Sequence, residues 1–184
     1  MMSLANRPLS REAVETTLIE WTAAGWLRRL DLELARFLCQ RLPGQDIDHT
    51  ETEGGLIFLS VALVSLYAGQ GHVCLDLARC LQRPSDILHS PVDSQRSVEY
   101  TPAPEIILQG LSLQGWVDTL SRSQLADPEV TGSPLVLSTV DPNRPLLYLR
   151  RMWQYEQTII TGICQRMSVS NNDLLEINEV SNAL

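Results

Sequence analysis

GGLIFLSVALVSLYAGQGHVCL, residues 54–75, holds no Asp, Glu, Arg or Lys in a chain of which 20% of residues are charged. From Leu56 to Ala68 it is apolar on nearly every face, interrupted only by Ser60 and Ser65. A helix that is apolar all round is either a buried core helix or a membrane span. Gly69-Gln70-Gly71-His72 stops the run well short of the ~20 residues a span needs, so the spacing predicts a core helix. Gly69 or Gly71 is expected to supply the left-handed residue that ends it. His72-Val73-Cys74-Leu75 then reads as a short strand with Val73 and Leu75 on one side.

The bulk figures bound what surrounds this helix. At 184 residues the chain has room for one domain or two small subdomains. A net charge of −8 is too acidic for a free-standing nucleic-acid binder. Every cation is arginine, which excludes Schiff-base or phosphate-gripping lysine chemistry within this chain. Cys39, Cys74, Cys80 and Cys164 lack the spacing of a disulfide framework, so a cytoplasmic, reducing compartment is expected. His72-x-Cys74 followed by Cys80 lacks the second paired cluster of a zinc site. The first twenty residues carry mixed charge and no apolar core of a secretory leader, and no membrane partner is expected.

Upstream, Val14, Leu18, Trp21 and Gly25 fall on one helical face, with Ser10 as N-cap and Gly25 as the stop. A second helix is expected from Asp31 to Pro43-Gly44, with Leu34, Phe37, Leu38 and Leu42 on its buried stripe. Gln45–Glu53 reads as an acidic linker; Asp46 and Asp48 lack the glycine and distal glutamate of a calcium loop. Downstream of the strand, Asp76 caps a short helix that turns Leu77 and Leu81 inward. The proline-rich stretch 84–104 reads as an irregular loop. Leu113, Trp116, Val117 and Leu120 mark a further helix that stops at Asp127-Pro128. Ser133–Thr139 and Leu146–Leu149 around Asp141-Pro142-Asn143-Arg144 read as a β-hairpin. From Arg150, Trp153, Glu156, Ile160, Ile163, Cys164 and Met167 trace a last helix.

The expected fold is therefore mainly α with a small antiparallel β-sheet. The expected divisions are 1–53 (N-terminal helices and acidic linker), 54–149 (a winged-helix-like module with its loop at 84–104) and 150–184 (a C-terminal helix). In a winged helix the helix near 112–125 would enter a DNA major groove, presenting Gln114, Gly115, Asp118, Thr119 and Arg122. The wing would add Asp141 and Arg144. One Arg beside one Asp in each place is a poor reader of phosphates and bases, so structural use of the module is favoured. No phosphate-binding loop, nucleophile elbow or His-Glu-x-x-His is present, and no catalytic, cofactor-binding or metal residue is expected. Cys74 beside His72 has no activating cation nearby in sequence and is expected to be inert.

Two strings carry a family resemblance. Ala68-Gly69-Gln70-Gly71-His72-Val73-Cys74-Leu75-Asp76-Leu77 resembles a segment of the N-terminal region of RecD, the exodeoxyribonuclease V alpha subunit. Leu147-Tyr148-Leu149-Arg150-Arg151-Met152-Trp153, with Glu156, resembles a second segment of the same region. Leu27-Arg28-Arg29-Leu30-Asp31 and Leu113-Gln114-Gly115-Trp116 follow the pattern more loosely, and the resemblance runs over residues 25–170. It implies the N-terminal domain of a 5′-to-3′ DNA helicase subunit, with ATP and Mg belonging to a motor domain not contained in these residues. The partners implied are a RecC-like gamma subunit, the subunit's own motor and a RecB-like subunit, with DNA reached through the full complex. Gly71, His72, Val73, Cys74, Leu75, Tyr148, Leu149, Arg151, Met152, Trp153 and Glu156 are then structural residues of the family pattern. Arg28, Arg29, Arg36, Arg150 and Arg151 are the candidate partner surface. The alternative is a stand-alone winged-helix DNA-binding regulator.

Overall fold

Helices and a small sheet pack around the uncharged run. The computed structural model describes residues 9–40, 50–88, 102–126 and 132–181, with side chains described as far as residue 167. The helices are α1 (Arg11–Ala23), α2 (Arg29–Gln40), α3 (Glu51–Gly69), α4 (Leu77–Gln82), α5 (Pro104–Leu108), α6 (Leu113–Arg122) and α7 (Arg150–Ser181). The strands are β1 (Cys74–Asp76), β2 (Leu135–Ser138) and β3 (Leu146–Leu149). The chain divides into two compact units, Met1–Arg150 and Arg151–Leu184. The mainly α class with a small antiparallel sheet is as expected.

The uncharged run folds as α3, but the helix begins earlier than its apolar residues do. Thr50 accepts from the Glu53 N–H through its hydroxyl, and Glu53 accepts from the Thr50 N–H. This capping box turns the last residues of the expected acidic linker into the first turn of the helix. At 19 residues α3 is long and apolar enough to cross a membrane, contrary to the shorter run expected. Every side chain from Leu56 to Leu66 is nevertheless buried within the fold, with α1 and α2 lying along it. It is a core helix. Gly71, at φ +90°, supplies the left-handed turn that leads into β1.

The first helix is read correctly. Ser10 Oγ accepts from the Ala13 N–H, and Val14, Leu18 and Trp21 are buried. In α2 the face is not the one expected. Asp31, Leu32 and Ala35 are buried, whereas Phe37 is 48% exposed and Leu34 lies at the margin. The expected end of this helix at Pro43-Gly44 lies outside the described residues, as do Asp46 and Asp48.

The two serines that interrupt the apolar run are its joints. Ser60 Oγ accepts from Trp116 Nε1 on α6 at 2.7 Å and donates to Leu56 O. Ser65 Oγ donates to Asp31 Oδ1 on α2 at 2.7 Å. Arg28 completes this second joint. It donates from Nε and Nη2 to both oxygens of fully buried Asp31 and from Nη2 to Ser65 O. A fork held at two points suits guanidinium geometry. Gly69 makes room, since a Cβ there would overlap the Arg28 guanidinium. Gly69→Ala is therefore expected to lower stability by about 1–2 kcal/mol, as the displaced fork loses its bonds to Asp31. With Asp31 already replaced by alanine the same change should turn neutral or stabilising, because Ala is the better helix former by about 1 kcal/mol. Urea melts of the four proteins measure the sign reversal; a Gly69→Ala cost that is unchanged by Asp31→Ala would refute the coupling.

The sheet has the order β1-β3-β2, with both pairings antiparallel. Leu75, Leu147 and Leu137 lie in one cross-strand row and are buried, on the face that joins the helical core. Leu135 and Leu125, and Leu137 and Ala126, bond through their backbones, so the chain after α6 covers the outer edge of β2. The first strand pairs with the β2–β3 hairpin, as expected. Two short elements differ from the irregular stretch expected at 84–104: a 3-10 turn at Pro84–Asp86, and α5, five residues long and led by Pro104, which begins at the end of that stretch. Residues 89–101 of that stretch, and the expected stop at Asp127-Pro128, lie outside the described residues. Val73 is a correction. It precedes the strand and is 49% exposed, while Leu75 alone turns inward.

Candidate interaction surface

Three of the five arginines expected to face a partner are bound within the fold. Arg28 holds Asp31 and Ser65 as described. Arg36 donates from Nε to Glu15 on α1 at 2.7 Å and from Nη1 to Glu33 at 2.8 Å, tying α2 to α1. Arg150 donates from Nε to Ser133 O at 2.6 Å, and its backbone N–H donates to Pro134 O, pinning the end of β3 to the start of β2. Arg29 and Arg151 are exposed. Beside Arg29, α2 shows solvent Leu30, at 65% exposure, and Phe37. Residues 30, 34 and 37 are spaced four and three apart, so they share one outward stripe. Ile19 on α1 is a further exposed apolar side chain.

The DNA-reading face expected on α6 is changed in two places. Thr119 is buried and donates its hydroxyl to Gly115 O, so it does not face outward. Arg122 pairs with Glu53 in the first turn of α3, and Asp118 accepts from Gln114. The outward face of α6 thus offers no unpaired guanidinium. In the β2–β3 turn, the segment expected as a wing, Asp141 accepts from the Asn143 N–H, while Arg144 Nε donates to Asp76 Oδ2 at 2.7 Å. Asp76 also caps α4 by accepting from the Arg79 N–H. Burial opposes its charge, yet the bonds from Arg144 and the backbone outweigh that and hold the Asp76 carboxyl below the usual range.

A groove of about 430 Å³ lies between α4 and the wing, lined by Asp76, Ala78, Arg79, Gln82, Arg83, Asn143 and Arg144. Next to it, sharing Asp76, Arg79 and Arg144, a second groove runs past Tyr67, His72, Val73 and Cys74. The half-buried Tyr67 ring and the exposed His72 ring stand 5.2 Å apart at 40°. His72 and Val73, read from sequence as residues of the short strand and of the family pattern, are therefore surface residues of this groove. No sequence signal joined Arg79, Arg83 and Arg144, because the wing is brought to α4 only by sheet pairing.

None of the four cysteines forms a disulfide. Burial pushes the Cys39 thiol up to about 11 and the Cys80 thiol up to about 12, which keeps both protonated and unreactive. Among the described residues no group of three or more His, Cys, Asp or Glu is arranged to hold a metal ion. In the second unit, α7 carries Tyr155, Ile159, Ile160, Ile163 and Met167 exposed.

Parts of the joints and of the second groove fall on the strings of the family resemblance. Leu27–Asp31 contains the Arg28–Asp31 fork, Leu113–Trp116 the partner of Ser60, and Gly71–Cys74 the turn and groove wall. No curated protein and no solved structure matches the chain. The family described as RecBCD enzyme subunit RecD, N-terminal domain, matches residues 23–141, which takes in those three strings and leaves out the fourth, in β3 and α7. With well over half its length inside that match, the chain belongs to the family of RecD N-terminal domains.

Proposed function

We propose that this chain is the non-catalytic N-terminal domain of a RecD-like 5′-to-3′ helicase subunit of exodeoxyribonuclease V, and that it docks the subunit onto a RecC-like gamma partner. The work served is double-strand-break processing and recombinational repair in the cytoplasm. ATP and Mg belong, in this reading, to the subunit's motor domain, and the RecB-like subunit is met in the same complex. The apolar face of α7 supports its role as the start of the connection to that motor.

The observation that carries the docking reading is the outward stripe of α2. Leu30 and Phe37 expose large apolar surfaces beside Arg29, within the family match. An apolar centre with a neighbouring arginine is the composition of an interface core. The partner surface is accordingly narrowed from five arginines to Arg29 with Leu30 and Phe37. The stand-alone regulator loses support, because Arg122, the sole cation on α6, is paired with Glu53.

Titration calorimetry of the 184-residue chain with a RecC-like subunit tests the proposal. Association is expected below micromolar Kd, and Leu30→Glu with Phe37→Glu should weaken it by at least about 30-fold. Both side chains are exposed, so thermal melts of the double variant should match the parent. No association at micromolar concentration would count decisively against docking.

A further inference from the structure

We infer that the groove between α4 and the wing binds the sugar–phosphate backbone of a single-stranded nucleic acid. It is distinct from the α2 stripe and does not depend on the docking proposal. Three guanidinia, Arg79, Arg83 and Arg144, meet two carboxamides, Gln82 and Asn143, against Asp76, with Asp86 on the wall of the adjoining groove. On a chain of net charge −8 this is a local excess of cation. The charges are also arranged. Asp76 takes the Nε of Arg144, leaving the two terminal nitrogens of that fork as donors. Arg83 lies 3.9 Å from Asp86 and has 69% of its side chain exposed. Planar guanidinium forks match phosphate oxygens two at a time, and carboxamides add neutral donors.

The neighbouring groove supplies what a phosphate site alone lacks. The exposed His72 ring, its centroid 5.2 Å from that of Tyr67, lines the adjoining groove together with Val73, Arg79 and Arg144. Cationic grooves flanked by aromatic platforms are the common physics of single-strand binding, in which bases stack while the backbone follows the charges. An acidic peptide would use the arginines but has no use for the ring. A duplex would need the α6 face, which carries one cation, Arg122, against the three of the groove. The single strand is the ligand that uses both grooves.

The test uses the 184-residue chain and a fluorescein-labelled oligothymidylate of about eight nucleotides, followed by anisotropy at low salt. Saturable binding is expected, weakening with salt. Arg79→Ala with Arg83→Ala should weaken it by about tenfold and flatten the salt slope by about 0.7 per arginine removed. His72→Ala should weaken it by about tenfold with the salt slope unchanged, which separates stacking from charge. Arg29→Ala with Arg151→Ala, both exposed and elsewhere in sequence, should leave binding as it was. Thermal melts confirm that each variant is folded, and Arg79→Gln with Arg83→Gln replaces the alanine pair if that pair melts early. The inference is overturned if the oligonucleotide does not saturate, if the remote arginine pair weakens it equally, or if a polyglutamate peptide binds the groove in its place.

Discussion

Asp31→Ala is expected to lower the unfolding free energy by about 3 kcal/mol, the low end of the range for breaking a buried ion pair. The carboxylate is fully buried and accepts four bonds: from Arg28 N at 3.1 Å, Nε at 3.0 Å and Nη2 at 2.5 Å, and from Ser65 Oγ at 2.7 Å. Removing it leaves the Ser65 hydroxyl buried on α3 without its acceptor and frees the fork that ties α2 to α3. The low end applies because 45% of the Arg28 side chain is exposed, so water can reclaim its charge. Asp31→Asn should cost about 2 kcal/mol, since it keeps the volume and one acceptor but loses the charge that strengthens all four bonds. Glu33→Ala, which removes an exposed partner of Arg36, should fall within about 0.5 kcal/mol of the parent. Urea melts provide the comparison, with equal m-values required before midpoints are read as stability. If Asp31→Ala stays within 1 kcal/mol of the parent, the fork is ornament and some other contact holds α2.

The apolar run could be read as a core helix because composition alone decides it. With every face apolar, no choice of side is needed, and a helix lacking charge over that length has to be covered. Its true start was readable as well. Thr50-x-x-Glu53 is a capping-box pattern, obscured because the same residues look like the tail of an acidic linker. The face of α2 was harder. Leu34, Phe37 and Leu38 and, on the neighbouring face, Leu32, Ala35 and Cys39 both satisfy helical spacing, and the tie is broken by Asp31. A buried carboxylate cannot be foreseen until Ser65, 34 residues away in sequence, is seen to converge on it beside its near neighbour Arg28. The arginines fail as a surface prediction for the same reason. Charge in a sequence shows only that a residue could pair, and Arg36 finds Glu15 on another helix. The groove between α4 and the wing was illegible in full, because it exists only once β1 has paired with β3.

Trp116→Ala is expected to cost about 3–5 kcal/mol, the range for removing a buried aromatic side chain. Trp116 is fully buried, and its indole N–H donates to Ser60 at the middle of the apolar helix, with Ser60 in turn donating to Leu56 O. The more informative variants separate packing from polarity. Trp116→Phe keeps an aromatic ring but loses bulk and the donor, for about 2–3 kcal/mol. Ser60→Ala keeps the packing but strands the indole N–H in an apolar interior, for about 1–3 kcal/mol. The double variant Ser60→Ala with Trp116→Phe should cost about 1 kcal/mol less than the two single costs together, because neither partner is then left unsatisfied. That coupling states why a serine sits at position 60, in the middle of the apolar run. Its hydroxyl fixes where α6 lands on α3, and with α6 the position of the segment at Leu125–Ala126 that covers the edge of β2. Strict additivity of the two substitutions in a urea-melt cycle would sink this account, and Ser60 would then be a tolerated polar residue satisfied by its own helix.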